Sequence, residues 1–159
     1  MPKLVRRRAS PTSAVITLLF AAGITASLGA QAQGTGTSTS TGARIIDLQA
    51  MTDAEVGPIQ PNHGTLRSKT LLKTPNGTIA VQAGDSPKHY HAETDEIQYV
   101  ISGTGKFWLG DTMRDVHPGD VIIIPKGTNH AGSHASEGNF KVLSIKLPPQ
   151  AEDDFHRVP

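Results

Sequence analysis

Residues 89–103, with the sequence HYHAETDEIQYVISG, form the stretch that decides the fold. Side chains two positions apart on a strand point to the same face, so His89 and His91 are predicted to aim both imidazoles at one point. Glu96 opens the next strand-like run and can add a carboxylate from a neighbouring position. Gln98 follows it with the period of a strand and is predicted to face the same cavity, as a contact for substrate or for a metal ligand.

A second stretch, GDVIIIPKGTNH at residues 119–130, ends in a further histidine, His130. Three imidazoles and one carboxylate suit a divalent transition metal (Mn, Fe, Co, Ni, Cu or Zn) and leave coordination positions for water or substrate. Taken singly, a histidine pair on a strand is usually a surface feature, and a single glutamate is usually a solvated charge. Their conjunction predicts one metal ion on four ligands: His89, His91, Glu96 and His130.

The spacing of these residues resembles the two sequence motifs of the cupin superfamily, over roughly residues 79 to 134. The matching positions are His89-x-His91, Glu96 and Gly103 in the first motif, and Gly119, Pro125-x-Gly127 and His130 in the second. The resemblance implies a single double-stranded β-helix, also called a cupin or jelly-roll barrel, with the same four metal ligands. The chain has Ala83 where the first motif opens with glycine, and His134 where the second closes with asparagine.

The other histidines fall in turns or outside the two motifs. His134 lies four positions after His130 and could be an extra ligand, a hydrogen-bond partner of a ligand or an exposed residue, and we expect it to be partly exposed. His63, His117 and His156 are predicted to be surface residues.

Short β-type runs separated by turn residues follow Pro61, as is typical of an all-β sandwich or barrel. The predicted runs are 68–73, 78–82, 89–91, 96–102, 106–109, 121–125, 130–133 and 140–147, with Gly103-Thr104-Gly105 as one of the breaks. The apolar run Val121 to Ile124 is continuous, so both of its faces should be covered by a second layer or a second copy. We therefore predict a homodimer, with Arg44 to Leu48 as an edge strand or arm, and a short capped helical turn at residues 52–55.

The beginning of the chain is typical of an export signal. Basic residues precede an uncharged apolar run at 14–30, which ends in Ala30-Gln31-Ala32, a small-x-small pattern that signal peptidase accepts. We predict a signal peptide over 1–32, a disordered Gly/Ser/Thr-rich tether over 33–43 and a barrel domain over 44–159, located in the periplasm or secreted. A retained membrane anchor is the alternative, since the run approaches the roughly 18 to 20 residues that span a bilayer. The export route stays open.

Charge and cysteine content exclude several classes of function. Removing residues 1–32 takes away four of fifteen basic residues and none of fourteen acidic ones, so the mature chain has a formal net charge of −3. A mildly acidic chain with few aromatic residues has no electrostatic footprint for nucleic acid. The absence of cysteine excludes disulfides, thiolate ligands and cysteine nucleophiles.

Two functions from different classes remain. One is a metal-dependent enzyme that acts on a small oxygen-rich molecule by oxygenase, isomerase or lyase chemistry, as the resemblance implies. The other is a non-catalytic binding module with a structural metal or a small-ligand pocket. The superfamily contains both enzymes and binding proteins, so the fold does not decide between them. Open coordination positions favour the enzyme, because a substrate could bind there.

Overall fold

The computed structural model describes residues 42–159. The predicted signal peptide at 1–32, and the predicted tether up to residue 41, lie outside the described residues. Residues 42–159 form one short helix and eight strands: α1 (Asp53–Val56), β1 (Arg67–Thr74), β2 (Gly77–Ala83), β3 (His89–Tyr90), β4 (Asp95–Leu109), β5 (Thr112–Val116), β6 (Val121–Ile124), β7 (His130–Leu147) and β8 (His156–Arg157). The predicted all-β class is confirmed. No helix within residues 42–159 has the length and apolar character needed to cross a membrane.

Two long antiparallel strands, β4 and β7, organise the barrel. Their pairing runs from Asp95 opposite Leu147 to Leu109 opposite His130. Beyond β7 the sheet continues through β2 to β1, while β5 and β6 pair with the two ends of β4. The first residues of β7 also pair with β3, and β3 pairs with β8. His89 in β3 therefore lies beside His130 at the start of β7.

The predicted break at Gly103-Thr104-Gly105 is wrong, because β4 continues through these residues. Register shifts between β4 and β7 mark β-bulges here, and Gly103 has a φ of 86°. A Cβ atom on Gly105 would lie 2.1 Å from the carbonyl oxygen of His134. Glycine therefore lets β4 bend and approach β7 closely instead of ending the strand. The predicted runs 130–133 and 140–147 are likewise one strand, and β5 and β8 were not predicted.

Two apolar clusters support the sheet. The inner cluster consists of buried side chains from β4, β5, β6 and β7: Val100, Phe107, Val116, Ile122, Ile124 and Phe140. The second consists of Val56, Val81 and Ala83, with Leu48 and Met51 from the N-terminal segment packed against it. Each fully buried aliphatic or aromatic side chain contributes about 1.5–3 kcal/mol to folding. The N-terminal segment therefore closes one face of β2.

The segment Arg44 to Leu48 does not form the predicted edge strand, and its role as an arm toward a second copy stays a prediction. Its Arg44 guanidinium donates a hydrogen bond of 2.5 Å to the carbonyl oxygen of Leu71. The predicted capped turn is confirmed: the Thr52 side chain and Glu55 form a reciprocal capping box around α1.

Only one face of the strand β6 is covered within the described residues, so cover of the other face by a second copy stays a prediction. Ile122 and Ile124 are buried, whereas Val121 and Ile123 are 60% and 66% exposed. The side chains alternate between the barrel interior and the outer face, as the pleat of a strand requires.

Candidate metal centre

Three buried histidines meet where β3 lies beside the first residues of β7. His89, His91 and His130 each have a ring nitrogen within 4.8 Å of those of the other two. Glu96, at the start of β4, places its Oε2 atom 3.2 Å from Nε2 of His91 and 3.4 Å from Nε2 of His130. The structure therefore brings the four predicted ligands together, and all four side chains are buried.

Each imidazole has its Nδ1 atom within hydrogen-bond distance of a backbone carbonyl oxygen. The pairs are His89 with Pro87 at 2.8 Å, His91 with Asp154 at 2.5 Å, and His130 with Thr128 at 2.9 Å. A carbonyl oxygen only accepts, so Nδ1 carries the proton in each ring and Nε2 presents its lone pair. Metal-bound histidines are held in this way, with the second ring nitrogen fixed by an outer partner.

The carboxylate of Glu96 is oriented by two neighbouring side chains. Its Oε1 atom accepts hydrogen bonds from Gln98 Nε2 at 3.0 Å and from Ser144 Oγ at 2.6 Å. Its Oε2 atom is left facing the histidines. Gln98 thus lies in the cavity, as predicted, and contacts a predicted ligand.

The ionisation of the site is that of a metal-binding cluster. Burial alone would raise the pKa of Glu96, but nearby Lys146 and the adjacent side chains of His130 and His91 hold it well below its usual range. Burial, followed by the charge of His130, lowers the pKa of His89 to about 3. Glu96 is therefore ionised and His89 neutral at pH 7, which are the states that coordinate a metal.

One buried atom tests whether a metal fits. Nε2 of His130 is buried and has no hydrogen-bond partner among the described residues. Buried polar atoms are almost always paired, because leaving one unpaired costs free energy. A cation bound between the imidazoles and Glu96 would coordinate this nitrogen, so the donor set fits a divalent transition metal.

The C-terminal segment supports the histidines from the opposite side. The carboxylate of the buried Asp154 accepts a hydrogen bond of 2.5 Å from the backbone N–H of Ala92, directly after His91. The ring of Phe155 stacks on His89, with centroids 4.0 Å apart and an angle of 23° between the planes. Residues 154 and 155 thus hold both histidines of the first motif.

A cleft of about 190 Å³ opens onto the cluster. Its wall includes His89, Glu96, Gln98, Lys146, Phe155 and His63. His63, predicted to be a surface residue, is half-buried in this wall, with its ring centroid 4.3 Å from that of Phe155. The cleft is large enough for a small molecule and is lined mainly by polar groups.

The remaining predicted histidines stay apart from the cluster. His134 is 86% exposed, and its Nδ1 atom lies 3.8 Å from a carboxylate oxygen of Asp85. His117 is 62% exposed beside Asp120, and His156 is 40% exposed beside Asp154. The structure therefore does not bring His134 to the ligands or to the cleft.

Sequence reasoning missed Lys146, Ser144, Asp154 and Phe155. A signal for two of them was present: Phe140, Val142, Ser144 and Lys146 have the period of a strand and continue one inward row. A row that changes from apolar to polar indicates that the strand leaves the core and enters a cavity. Asp154 and Phe155 carry no such pattern, because they lie in an irregular segment.

Residues 77–146 match the family model of the Cupin domain. An uncharacterised protein of Aquifex aeolicus is 33% identical over 91 residues, which cover 55% of this chain and 74% of the relative. Another, of Methanocaldococcus jannaschii, is 32% identical over 66 residues, 42% of this chain, and the chain spans 53% of its length. An acireductone dioxygenase of Citrobacter koseri is 35% identical over 75 residues, 45% of this chain and 41% of that protein.

Three solved structures share the fold. A Klebsiella pneumoniae protein with a double-stranded β-helix domain superposes with a TM-score of 0.55 at 18% identity, covering 74% of this chain and 100% of that one. The polyketide cyclase RemF from Streptomyces resistomycificus gives 0.59 at 17%, covering 74% and 87%. Streptomyces PAC13 with uridine gives 0.52 at 19%, covering 68% and 88%. The predicted double-stranded β-helix is confirmed.

Proposed function

Because this chain belongs to the cupin superfamily, we propose that it is a metal-dependent enzyme acting on a small, oxygen-rich molecule by oxygenase, isomerase or lyase chemistry. One observation carries the proposal. Three buried histidines form one cluster, Oε2 of Glu96 lies beside two of them, and His89 and Glu96 line an open cleft. A ligand in the cleft would therefore be close enough to contact a metal ion bound by these four side chains.

The protein's own residues prepare the site for chemistry. Backbone carbonyl groups fix the three imidazoles with Nε2 inward, and Gln98 and Ser144 fix Glu96 with Oε2 inward. Phe155 shields one face of His89 from water. A divalent transition metal would supply Lewis-acid polarisation of a substrate oxygen, or redox chemistry, at these four ligands. Pre-oriented ligands let the substrate displace water without rearranging the protein.

Named relatives support an enzyme over a passive binding module. The acireductone dioxygenase of Citrobacter koseri is 35% identical over 75 residues, and a polyketide cyclase shares the fold. PAC13 was solved with uridine, a small oxygen-rich ligand. Because the likeness to the two solved structures is at 17% and 19% identity, they support the class of ligand and reaction and not a particular substrate.

Elemental analysis followed by activity measurement tests the proposal. Protein purified without added metal should contain about one transition-metal ion per chain, and chelation should remove it reversibly. The purified protein would then be assayed for dioxygen uptake and for product formation with small acids, diketones and sugars. Metal binding without turnover across the panel would favour the non-catalytic binding module, and absence of metal would contradict the enzyme and leave only a module with a small-ligand pocket.

We further propose that the protein acts outside the cytoplasm, in the periplasm or secreted. The support is the basic start, the uncharged run at 14–30 and Ala30-Gln31-Ala32. Intact-mass measurement of exported protein should give a chain that starts near Gln33. A mass that retains residues 1–32, in protein fixed to the membrane, would contradict this.

A further inference from the structure

A partly buried lysine lies next to the predicted metal ligands. Lys146 is in β7, directly opposite Glu96 in β4, and its side chain is 14% exposed. Its Nζ atom lies 3.9 Å from Oε2 of Glu96, the same oxygen that faces His91 and His130. The ammonium group is therefore within a few ångströms of the point where the ligands converge.

The ammonium group has donors available to a ligand. Nζ carries three N–H groups, and one donates a hydrogen bond to Oε1 of Gln150. Glu96, at 3.9 Å, is beyond ordinary hydrogen-bond distance. Among the described residues that line the cleft, Lys146 is the one lysine or arginine.

Lys146 also lies at the junction of two spaces. It lines both the cleft at the histidines and an adjoining outer cavity of about 390 Å³. Gln60, Ser68 and Gln82 are shared by the same two spaces. Lys146 therefore borders both spaces and can contact a small molecule in either of them.

Lys146 could have either of two roles: it could neutralise Glu96 alone, or it could also bind an anionic ligand. The charges of the site distinguish these roles. Without metal, the charges of Lys146 and Glu96 offset each other across 3.9 Å. A divalent cation bound at the ligands would add two positive charges that Glu96 does not balance. A positive, partly desolvated cleft stabilises an anion more strongly than the same charges do in water. If Lys146 only neutralised Glu96, the positive charge of a bound cation would remain without a counter-ion.

We propose that Lys146 binds an anionic oxygen group of the substrate, and that the substrate class is a small hydroxy- or oxo-carboxylate. This inference rests on the proposed function, since the excess positive charge arises when the four ligands hold a metal. The carboxylate takes the N–H groups of Lys146 that Gln150 does not occupy. The hydroxyl or carbonyl oxygen faces the ligand cluster, and the amide and hydroxyl groups of Gln60, Ser68 and Gln82 line the approach.

Paired ligands and paired variants test the inference by calorimetry. The probes are lactate and its uncharged amide, lactamide, which have nearly the same shape and differ in charge. The protein is loaded with Zn²⁺, which has no redox chemistry, so binding is measured without turnover. Lys146→Met removes the charge while keeping a long side chain, and Lys146→Arg keeps the charge. Lys73→Met is the matched control, because Lys73 lines the outer cavity and is absent from the cleft.

The wild type should bind lactate at least about tenfold more tightly than lactamide, as expected for hydrogen bonds to a charged group. Lys146→Met should lose about tenfold or more in lactate affinity with unchanged lactamide affinity and Zn²⁺ content. Lys146→Arg should keep the preference, and Lys73→Met should behave as the wild type. Melting curves check that each variant folds, and the wild-type comparison of the two probes stands without any variant.

The inference is overturned if the wild type does not prefer lactate, or if Lys146→Met weakens both probes equally. Failure of the proposed function gives a different result, since the wild type would then bind no Zn²⁺. The inference then fails together with the proposed function on which it rests. Titrating the metal-free protein measures the contribution of the cation: the preference for lactate should be weaker than with Zn²⁺ bound, and an equal preference would overturn the charge argument.

Discussion

At the scale of single residues, each imidazole of the cluster has one nitrogen committed to the backbone and one aimed inward. Replacing His91 or His130 with Ala removes a ligand and should cost several kcal/mol of metal affinity, enough to abolish occupancy after dialysis. Replacing His134 or His117 should leave the metal content unchanged, because both side chains are exposed and lie outside the cluster. Metal content of dialysed wild type and the four variants decides this. Loss of metal in His134→Ala with full occupancy in His130→Ala would refute the ligand assignment.

The side chains that donate hydrogen bonds to Glu96 allow a test in which metal affinity is weakened and not abolished. Ser144→Ala removes the 2.6 Å hydrogen bond to Oε1 and leaves all four ligands in place. Loss of such a partner typically weakens metal binding by about 10- to 100-fold. Competition with a chelator of known affinity measures the change. Ser136→Ala is the control, since Ser136 is exposed and donates to the carbonyl oxygen of Thr104 instead. Equal affinities for the two variants would show that Ser144 does not orient Glu96.

The ligand residues were predictable because strand period and motif spacing are local properties of the sequence. His89 and His91 are two apart, and Glu96 and His130 follow at offsets that the resemblance supplies. His63 and Phe155 were not predictable, because chain topology brings them to the cleft from segments without periodic pattern. Lys146 continues the inward-facing row of β7 and could have been predicted from it. A lysine beside apolar residues is, however, ordinarily a surface side chain.

At the scale of elements, the C-terminal segment acts as a brace for the loop after β3. Asp154 accepts hydrogen bonds from the backbone N–H groups of Ala92 and Glu93. Asp154→Ala leaves these donors unpaired and should lower the free energy of unfolding by about 1–3 kcal/mol. Denaturant unfolding measures it, with Asp153→Ala as the exposed neighbouring control. A loss of the same size in the control would show that the brace has no special role.

The contribution of Asp154 should depend on pH. Burial alone would raise its pKa, but hydrogen bonds from Thr94, Ala92 and Glu93 bring it below the ordinary value of 3.8. A carboxyl group whose pKa is lowered by folding stabilises the protein above its unfolded pKa and loses that effect as pH falls through the folded pKa. The difference in unfolding free energy between wild type and Asp154→Ala should be constant from pH 7 to pH 5 and should shrink below pH 3.8. A difference that grows in acid would contradict this.

The bulged centre of β4 is the second element with a direct test. Gly105→Ala would place a Cβ atom 2.1 Å from a backbone oxygen of β7, so the two strands must move apart. We expect a loss of several kcal/mol, within the range that strain and overpacking produce. Gly110→Ala is the control: its Cβ meets open space, and the cost is the roughly 1–2 kcal/mol of a left-handed residue. Thermal melts compare them, and equal melting temperatures would contradict the close approach.

Strand positions were predictable here and strand boundaries were not. Glycines at 103 and 105 have the composition of a turn, but tertiary contact with β7 holds them in a continuous strand. Local composition cannot separate these cases, because a bulge and a turn both require glycine's freedom of φ.

At the scale of the whole molecule, an apolar band crosses the outer face of three adjacent strands. It consists of Val121 and Ile123 in β6, Ile97 and Tyr99 in β4, and Leu143 and Ile145 in β7, which are cross-strand neighbours. Val121 and Ile123 are more than half exposed, and Tyr99 is 45% exposed. Contiguous apolar surface of this kind is typical of an interface between subunits.

We predict that a second copy covers this band and that the protein is a homodimer. Ile123→Lys would place a charge within the interface on both subunits and should convert the dimer into monomers, with metal content unchanged. Light scattering at micromolar concentration gives the mass. Met113→Lys is the control, because Met113 is 42% exposed on β5, outside the band. A monomer mass for the wild type would refute the prediction.

The brace formed by residues 154–157 also fixes the order of events during synthesis. Asp154 follows His91 by 63 positions, and Arg157 pairs with His89 across β3 and β8. When His89 and His91 have been synthesised, the nascent chain therefore still lacks the carbonyl group of Asp154. This group determines which nitrogen of His91 carries the proton. Contacts between such distant residues form late in folding, after the loop between them has closed. If the histidines hold a metal, as we propose, its capture would be delayed until the barrel has assembled, and a prematurely terminated chain would be released without it.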